Sequence, residues 1–123
     1  MTRINCVPVE ELNGPHLVAE YRELPRVFRL AHKAALRGGV SAPAAYTLGK
    51  GHLLFFYGRL GYLSRRHADL IAEMKRRGYN PTFSGVRRED FPEVPDAWWE
   101  DWEPPPEALR LNRARIEERG GSR

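Results

Sequence analysis

The chain has 123 residues, of which 41% are hydrophobic and 29% are charged, so we expect one globular domain with a sizeable core. Its net charge of +4 makes a polyanion such as nucleic acid a reasonable partner. The single cysteine, Cys6, excludes an internal disulfide and a cysteine-based zinc cluster. Because neither a long hydrophobic run nor a signal peptide is visible, the sequence predicts a soluble, intracellular protein without a membrane partner.

The first long helix is predicted from residue 15 to about residue 37. Asn13 can cap its N-terminus, Pro15 suits its first turn, and the pair Gly38-Gly39 ends it. One face of this helix is apolar and should be buried in the core. That face is formed by Leu17, Tyr21, Leu24, Phe28, Ala31 and Ala35.

The same helix carries a cationic ridge and, beside it, a more acidic strip. The ridge consists of Arg22, Arg26, Arg29 and Lys33, and the strip consists of His16, Glu20 and Glu23. Like charges one helical turn apart repel one another by roughly a few tenths of a kcal/mol per pair, so the ridge indicates either an anionic partner or a solvated charged face. Pro25 cannot donate to the carbonyl of Tyr21, which predicts a kink or a strained turn beside Glu23.

A second helical pattern runs from about residue 52 to Gly78, with a break expected at Gly58 and Gly61 because glycine weakens a helix. A last, basic helix is expected at about residues 105–119. The proline-rich segment between these helices should be irregular, and its three tryptophans should pack over the helices because the acidic side chains around them repel phosphate. The predicted fold class is therefore all-α. It is a compact single domain, residues 1–123, of about three main helices with long irregular connections and a disordered tail at residues 119–123.

Three blocks of the sequence resemble the phage endonuclease V family, which are pyrimidine-dimer DNA glycosylases with AP-lyase activity. The blocks are MTRIN at residues 1–5, HLVAEYRELPRVF at residues 16–28, and GHLLFFYGRLGYL with EMKRRGYN between residues 51 and 80. The resemblance implies a compact three-helix protein whose N-terminus threads between the helices. It also implies double-stranded DNA containing a lesion as the partner, and neither cofactor nor metal. We expect a monomer in the cytoplasm that associates with the nucleoid when bound to DNA.

The resemblance assigns roles to individual residues. The nucleophile is the α-amino group of Thr2, exposed when Met1 is removed, and Glu23 carries the elimination steps. The other matched positions contact phosphates or lie near the lesion. They are Arg3, Arg22 and Arg26 as phosphate ligands, His16 and Tyr21 near the lesion, and Arg115 and Arg119 on the last helix.

These roles agree with the ordinary chemistry of the groups. An α-amine has a pKa of about 7.7–8.0, so part of it is neutral at pH 7, and neighbouring arginines lower that pKa further. The neutral Thr2 amine can attack the anomeric carbon of the sugar, displace the damaged base and form an imine, after which β-elimination breaks the strand on the 3′ side. Glu23 can stabilise positive charge on the sugar and assist proton transfer.

Two other interpretations remain open. A non-enzymatic, basic DNA-binding bundle that recognises bent or damaged duplex would use the same arginines, and Glu23 would then only neutralise Arg22 or Arg26. A related glycosylase for oxidised or alkylated bases would share the imine chemistry and differ in its pocket. The family also continues beyond its last helix into an aromatic, lysine-containing tail that has no counterpart before Arg123. We therefore expect efficient cleavage at abasic sites with weaker selectivity for the dimer.

Overall fold

In the computed structural model, which describes residues 3–39 and 41–123, four α-helices build the fold. They are α1 (Gly14–Leu36), α2 (His52–Tyr57), α3 (Leu60–Arg76) and α4 (Pro106–Glu118). Single 3-10 turns occur at Val9–Glu11, Arg88–Asp90 and Asp96–Trp98. The described residues contain no β-strand, which confirms the all-α prediction. No helix in this part of the chain is long and apolar enough to cross a membrane.

The central element is α1, which begins and ends within one residue of its predicted bounds. Asn13 caps it, since its side-chain oxygen accepts a hydrogen bond from the backbone N–H of His16 at 3.1 Å. The buried face also follows the predicted pattern, because Leu17, Leu24 and Phe28 are at most 1% exposed. This face packs against both α2 and α3, so α1 organises the core.

Pro25 does not interrupt α1, and His67 on α3 supplies the reason. Proline has no N–H to donate to the carbonyl of Tyr21, one turn earlier. Nε2 of His67 lies 3.2 Å from that carbonyl and donates to it, and the imidazole stacks on the Tyr21 ring with 5.5 Å between centroids. The hydrogen bond that Pro25 removes from α1 is therefore replaced from a neighbouring helix.

We expect the contribution of His67 to depend on Pro25. His67→Leu leaves the buried carbonyl of Tyr21 without a donor, which should lower the free energy of unfolding by about 1–3 kcal/mol. Pro25→Ala restores an N–H to that carbonyl, so the same His67 substitution should cost distinctly less in the Pro25→Ala background. Urea unfolding of the parent, both single variants and the double variant measures this coupling. Purely additive effects would show that the His67 bond does not replace the missing helical one.

The second predicted helix is divided into α2 and α3 at Gly58, which confirms the predicted break there, whereas Gly61 lies within α3. Gly61 allows a close approach of the backbone, since a Cβ at this position would lie 2.6 Å from the carbonyl oxygen of Trp99. The irregular segment crosses α3 at this glycine, and the backbone N–H of Tyr62 donates to the carbonyl of Glu100 at 3.1 Å. A side chain at position 61 would push this segment away from α3.

The three tryptophans of the irregular segment pack against the core, which confirms their predicted role. The Trp102 ring lies 5.8 Å from that of Tyr46 and 5.1 Å from that of Phe55, measured between centroids. The Trp99 ring lies 5.8 Å from that of Phe28 on α1. The segment therefore completes the hydrophobic core across α1, α2 and α3.

The prediction of a disordered tail at residues 119–123 is wrong. Gly120 has a φ of +68° and closes the end of α4, so that the N–H of Gly121 bonds back to the last turn of the helix at 2.8 Å. The carbonyl of Gly121 then accepts from the N–H of Asn13 at 2.8 Å, and the last residue pairs with the 3-10 turn ahead of α1. The glycine pair therefore ends a helix and returns the chain to the start of α1, instead of forming a flexible end.

Candidate active site

A cavity of about 440 Å³ lies where the N-terminal segment passes between α1 and α4. Its walls are formed by Arg3 and Asn5 of that segment, by His16, Ala19, Glu20 and Glu23 of α1, and by Arg115, Ile116 and Arg119 of α4. The cavity therefore brings together residues from both ends of the chain. Among them are five that the sequence assigned to the site, namely Arg3, His16, Glu23, Arg115 and Arg119.

Helical spacing explains two of the walls. His16, Ala19 and Glu23 recur at intervals of three and four residues, so their side chains project from one face of α1. Arg115 and Arg119 lie one turn apart on α4 in the same way. The strip predicted beside the cationic ridge is the surface that α1 contributes to the cavity.

The ordered tail fixes the position of His16. The imidazole lies directly against Gly121, where an added Cβ would be 2.4 Å from Nδ1. The tail is itself tied to Asn13, the cap of α1, by a backbone hydrogen bond of 2.8 Å. Only glycine at position 121 leaves room for the imidazole in this wall.

Three guanidinium groups make the cavity cationic. Arg3 is half-buried, and its burial together with repulsion from Arg115 and Arg119 lowers its pKa below the ordinary value. Arginine remains charged in spite of such a shift. Because an anion relieves the repulsion among these cations, the cavity favours a ligand such as a phosphate.

The two carboxylates of the cavity have different surroundings. Glu20 is 3% exposed, and it accepts hydrogen bonds from Arg66 at 2.9 and 3.1 Å and from Asn5 at 2.8 Å. Its charge is compensated inside the protein, as a buried carboxylate requires. Glu23, by contrast, is exposed, so it is the carboxylate of this cavity that a ligand can reach.

A buried polar network fixes the course of the N-terminal segment. Asn112 on α4 is fully buried, and its Oδ1 accepts from the backbone N–H groups of Cys6 at 2.6 Å and Val7 at 3.1 Å. Its Nδ2 donates to the side-chain oxygen of Asn5 at 2.8 Å. Arg66 donates to the carbonyl of Val7 from the α3 side. The segment is thus bonded to α3 and α4, which agrees with the threaded N-terminus that the resemblance implies.

Sequence reasoning missed the residues of this network, although a signal for them exists. Asn112 stands between Ala108 and Ile116 on the buried stripe of α4, and Arg66 stands beside Leu63 on the buried stripe of α3. A polar side chain on an apolar stripe must find a partner when it is buried. The pattern therefore marks both residues as structural, but it does not indicate what they bind.

Tyr21 lies in the core and does not line the cavity. It is 4% exposed, and its hydroxyl accepts from the backbone N–H of Phe83 at 2.8 Å. Burial raises its pKa, but the hydrogen bonds from Phe83 and Thr82 and the charge of Arg22 outweigh burial, so the pKa falls below its ordinary value. Tyr21 is therefore a core residue, and its place near the lesion, which the resemblance implies, stays a prediction.

The remaining assigned residues lie beside the cavity or outside the described chain. Arg22 and Arg26 are exposed on α1 and do not line the cavity; with Arg29 and Lys33 they form the predicted ridge on the exposed side of the helix. Thr2, the assigned nucleophile, lies outside the described residues. Its neighbour in the chain, Arg3, lines the cavity.

Cys6 does not provide an alternative nucleophile. Its side chain is buried, and burial raises the pKa of the thiol to about 12. At neutral pH the reactive thiolate is therefore absent. In the part of the chain that the structure describes, no three His, Cys, Asp or Glu side chains are grouped as a metal site.

The fold and site define a small α-helical domain whose cavity is lined by arginines and one accessible carboxylate. Such a lining favours an anionic ligand, and the net charge of +4 suits nucleic acid. A family model described as pyrimidine dimer DNA glycosylase matches residues 1–84, more than half of the chain. The protein therefore belongs to the pyrimidine dimer DNA glycosylase family. Membership makes it an enzyme of DNA repair whose substrate is DNA containing pyrimidine dimers, and it favours this function over a non-enzymatic DNA-binding bundle.

Proposed function

We propose that the protein is a bifunctional glycosylase and AP lyase that uses the α-amine of Thr2 as its nucleophile. The observation that carries this proposal is the cavity, which combines Arg3, one peptide bond from Thr2, with the accessible carboxylate of Glu23. An imine requires an amine, and the α-amine is the suitable one. All three lysines of the chain lie in its described part, are exposed, and do not line the cavity.

In the first stage of the reaction, the bond between the sugar and the damaged base is replaced by a bond between the sugar and the Thr2 nitrogen. The neutral Thr2 nitrogen attacks the anomeric carbon of the sugar, and the bond between that carbon and the base breaks with its electron pair leaving on the base. Loss of the amine proton and opening of the sugar ring then give an imine. Positive charge develops on the sugar during this stage, and the carboxylate of Glu23 stabilises it electrostatically.

The second stage breaks the strand. The protonated imine acidifies the adjacent C–H bond of the sugar, and removal of that proton expels the 3′ phosphate by β-elimination. Glu23 assists this proton transfer, and water finally hydrolyses the imine to release Thr2. The carboxylate of Glu23 therefore acts twice on the same sugar, first by stabilising charge and then by assisting proton transfer.

The cations around the cavity hold the DNA in the form that this chemistry requires. A sugar carbon inside a stacked duplex is out of reach, so a base must be extruded and the duplex bent. Arg3, Arg115 and Arg119 would bind phosphates at the cavity, and the ridge on α1 would extend that contact along the DNA backbone.

We also propose that the protein acts on its DNA as a monomer.

Borohydride trapping tests the proposed chemistry. The reagent reduces an imine to a stable amine, so the processed protein should become covalently linked to ultraviolet-irradiated duplex and to duplex with a preformed abasic site. Peptide mapping should place the link at residue 2. Strand cleavage without a trapped adduct, or an adduct on a lysine, would contradict the mechanism, and binding without either would support the non-enzymatic bundle.

The ridge makes a separate prediction about salt. Arg22→Ala should weaken binding to damaged and undamaged duplexes alike, because phosphate contacts carry no sequence information. The slope of log Kd against log salt concentration should fall by about one unit, because the variant neutralises one phosphate fewer. Lys33→Ala, at the far end of the ridge, is the matched control and should have a smaller effect. Fluorescence anisotropy between about 50 and 200 mM salt measures both slopes. Unchanged affinity and slope for Arg22→Ala would mean that the ridge is only a solvated face.

A further inference from the structure

The segment at residues 46–52 forms hydrogen bonds with both the N–H and the carbonyl of Ile4. The N–H of Ile4 donates to Nε2 of His52 at 2.8 Å, and its carbonyl accepts from the hydroxyl of Tyr46 at 3.2 Å. The side chain of Arg3 donates to the carbonyl of Leu48 in the same segment. Ile4 is fully buried, so these bonds replace the water that its backbone would otherwise bind.

The geometry also fixes the protonation of His52. A backbone N–H can only donate, so Nε2 is the unprotonated nitrogen, and Nδ1 carries the hydrogen that it donates to the carbonyl of Thr47 at 2.8 Å. The ring is 5% exposed and meets the rings of Tyr46 and Phe56 edge-on, with 5.6 and 5.7 Å between centroids. The tautomer and the plane of the imidazole are therefore both determined by its neighbours.

We propose that His52 positions the α-amine of Thr2 by holding the backbone N–H of Ile4. Only Arg3 separates this anchor from Thr2, and Arg3 itself lines the cavity. An anchor two residues from a nucleophile restricts the space that the nucleophile samples, and correct placement of a reacting group contributes several orders of magnitude to a rate. The inference rests on the proposed function. It makes His52 a positioning residue that does not touch the substrate.

Protonation of His52 should release the anchor, because a protonated Nε2 presents a hydrogen to an N–H that can only donate. Burial is the largest influence on the pKa of His52 and lowers it, and Arg3 and Arg115 act in the same direction. The carbonyl of Thr47 and the carboxylate of Glu20 oppose this shift without cancelling it. The anchor therefore persists at neutral pH and is lost as the pH falls through the lowered pKa.

Two substitutions separate the hydrogen bond from the packing of the ring. His52→Gln keeps an acceptor and a donor on neighbouring atoms, whereas His52→Phe keeps an aromatic ring and removes both bonds. His32→Gln is the matched control, since His32 is partly exposed and bonds to Glu93 away from the cavity. Each protein is assayed by single-turnover borohydride trapping on abasic duplex, by Kd for that duplex, by amide hydrogen exchange at Ile4, and by urea unfolding.

We expect His52→Phe to slow trapping by about 100-fold, the typical effect of misplacing a reacting group by about 1 Å, while Kd stays near the parental value. Exchange at Ile4 should become faster. His52→Gln and His32→Gln should trap at rates close to the parent. At acid pH the trapping rate of the parent should fall by about two logarithmic units per pH unit, because protonation of the Thr2 amine and protonation of His52 each contribute about one. The rate of His52→Gln should fall by only about one logarithmic unit per pH unit, because only the amine is protonated.

The outcomes distinguish this inference from the proposed function. A folded His52→Phe protein that traps at the parental rate overturns the inference alone, as do equal acid slopes in the parent and in His52→Gln. The slopes decide the matter even if His52→Phe does not fold. A parent that forms no adduct at residue 2 overturns the proposed function and this inference together.

Discussion

Retention of Met1 is expected to abolish strand cleavage by this protein. With Met1 attached, the nitrogen of Thr2 is an amide and has no nucleophilic lone pair. The free α-amine is then that of Met1, the residue before Thr2, so the amine is displaced by the length of one residue, about 3.5 Å. Since a misplacement of about 1 Å can already cost about 100-fold, no compensating activity is expected from the displaced amine.

A pair of variants makes this test specific. Thr2→Leu places a large residue after the initiator methionine and should prevent its removal in cells, whereas Thr2→Ala should still be processed. Thr2→Ala retains the α-amine and loses the hydroxyl and the γ-methyl group of the side chain, so it should cleave abasic duplex at close to the parental rate. Mass spectrometry of each protein establishes its N-terminus before the assay. Parental cleavage by a protein shown to carry Met1 would exclude the Thr2 amine as the nucleophile.

The elements of the fold that the sequence predicts best are those determined by residues close together in the chain. The cap at Asn13, the apolar stripe and the terminating glycines of α1 are all read from neighbouring residues, and the helix begins and ends within one residue of expectation. The division between α2 and α3 at Gly58 is local in the same sense. The tail was mispredicted because two glycines suit a flexible end and a helix-ending turn equally well. The partner segment around Asn13, which decides between the two, lies more than 100 residues away.

Pairings across the fold could not be predicted in this way. The carbonyl that Pro25 leaves without a donor is visible in the sequence, but the donor, His67, is contributed by another helix. The same holds for Asn112, which binds the backbone of Cys6 across 106 positions of the chain. Such partners depend on how the helices are arranged in space, and periodicity in one segment contains no information about that arrangement.

In the candidate site, too, the sequence indicates which residues belong together but not how they are arranged in space. Motif resemblance identified Arg3, His16 and Glu23 and two arginines of α4, and the cavity brings these together. For Tyr21 the apolar pattern predicted burial, which the structure confirms, whereas the place near the lesion that the motif implies stays a prediction. Burying an aromatic ring of this size stabilises the fold, so its position in the core stripe determined where it lies.

The structure also separates two glutamates that the sequence groups in one strip. Glu20 and Glu23 stand three residues apart on α1, yet only Glu20 reaches Arg66, which compensates its charge in the interior. Glu20 is thereby part of the buried polar network that holds the fold. Glu23 lacks such a buried position, and its carboxylate lies at the surface of the cavity that Arg3 and Arg115 also line. The same residue type is therefore buried and structural at one position and accessible to a ligand one turn later.

Glu23→Gln is expected to reduce strand cleavage by about 100- to 1,000-fold, the usual effect of removing one electrostatic stabiliser of a transition state. Glutamine keeps the size and hydrogen-bonding capacity of the side chain and removes only its charge. Binding should survive or become tighter, because a negative charge near the phosphates is lost while Arg3, Arg115 and Arg119 remain. A selective loss of rate with Kd preserved would therefore assign Glu23 to the chemical steps.

The choice of substrate then tells which step requires the carboxylate. Dimer-containing duplex passes through both base displacement and β-elimination, whereas a preformed abasic duplex needs only imine formation and elimination. If Glu23 serves elimination, the variant should still form a borohydride-trappable imine on abasic DNA and accumulate it without cutting the strand. Glu118→Gln, which removes an exposed charge of α4 next to Arg119 in the chain, is the control for a change in overall charge and should cleave normally. Cleavage by Glu23→Gln within a few-fold of the parent on both substrates would leave Glu23 only the role of neutralising the arginines around it.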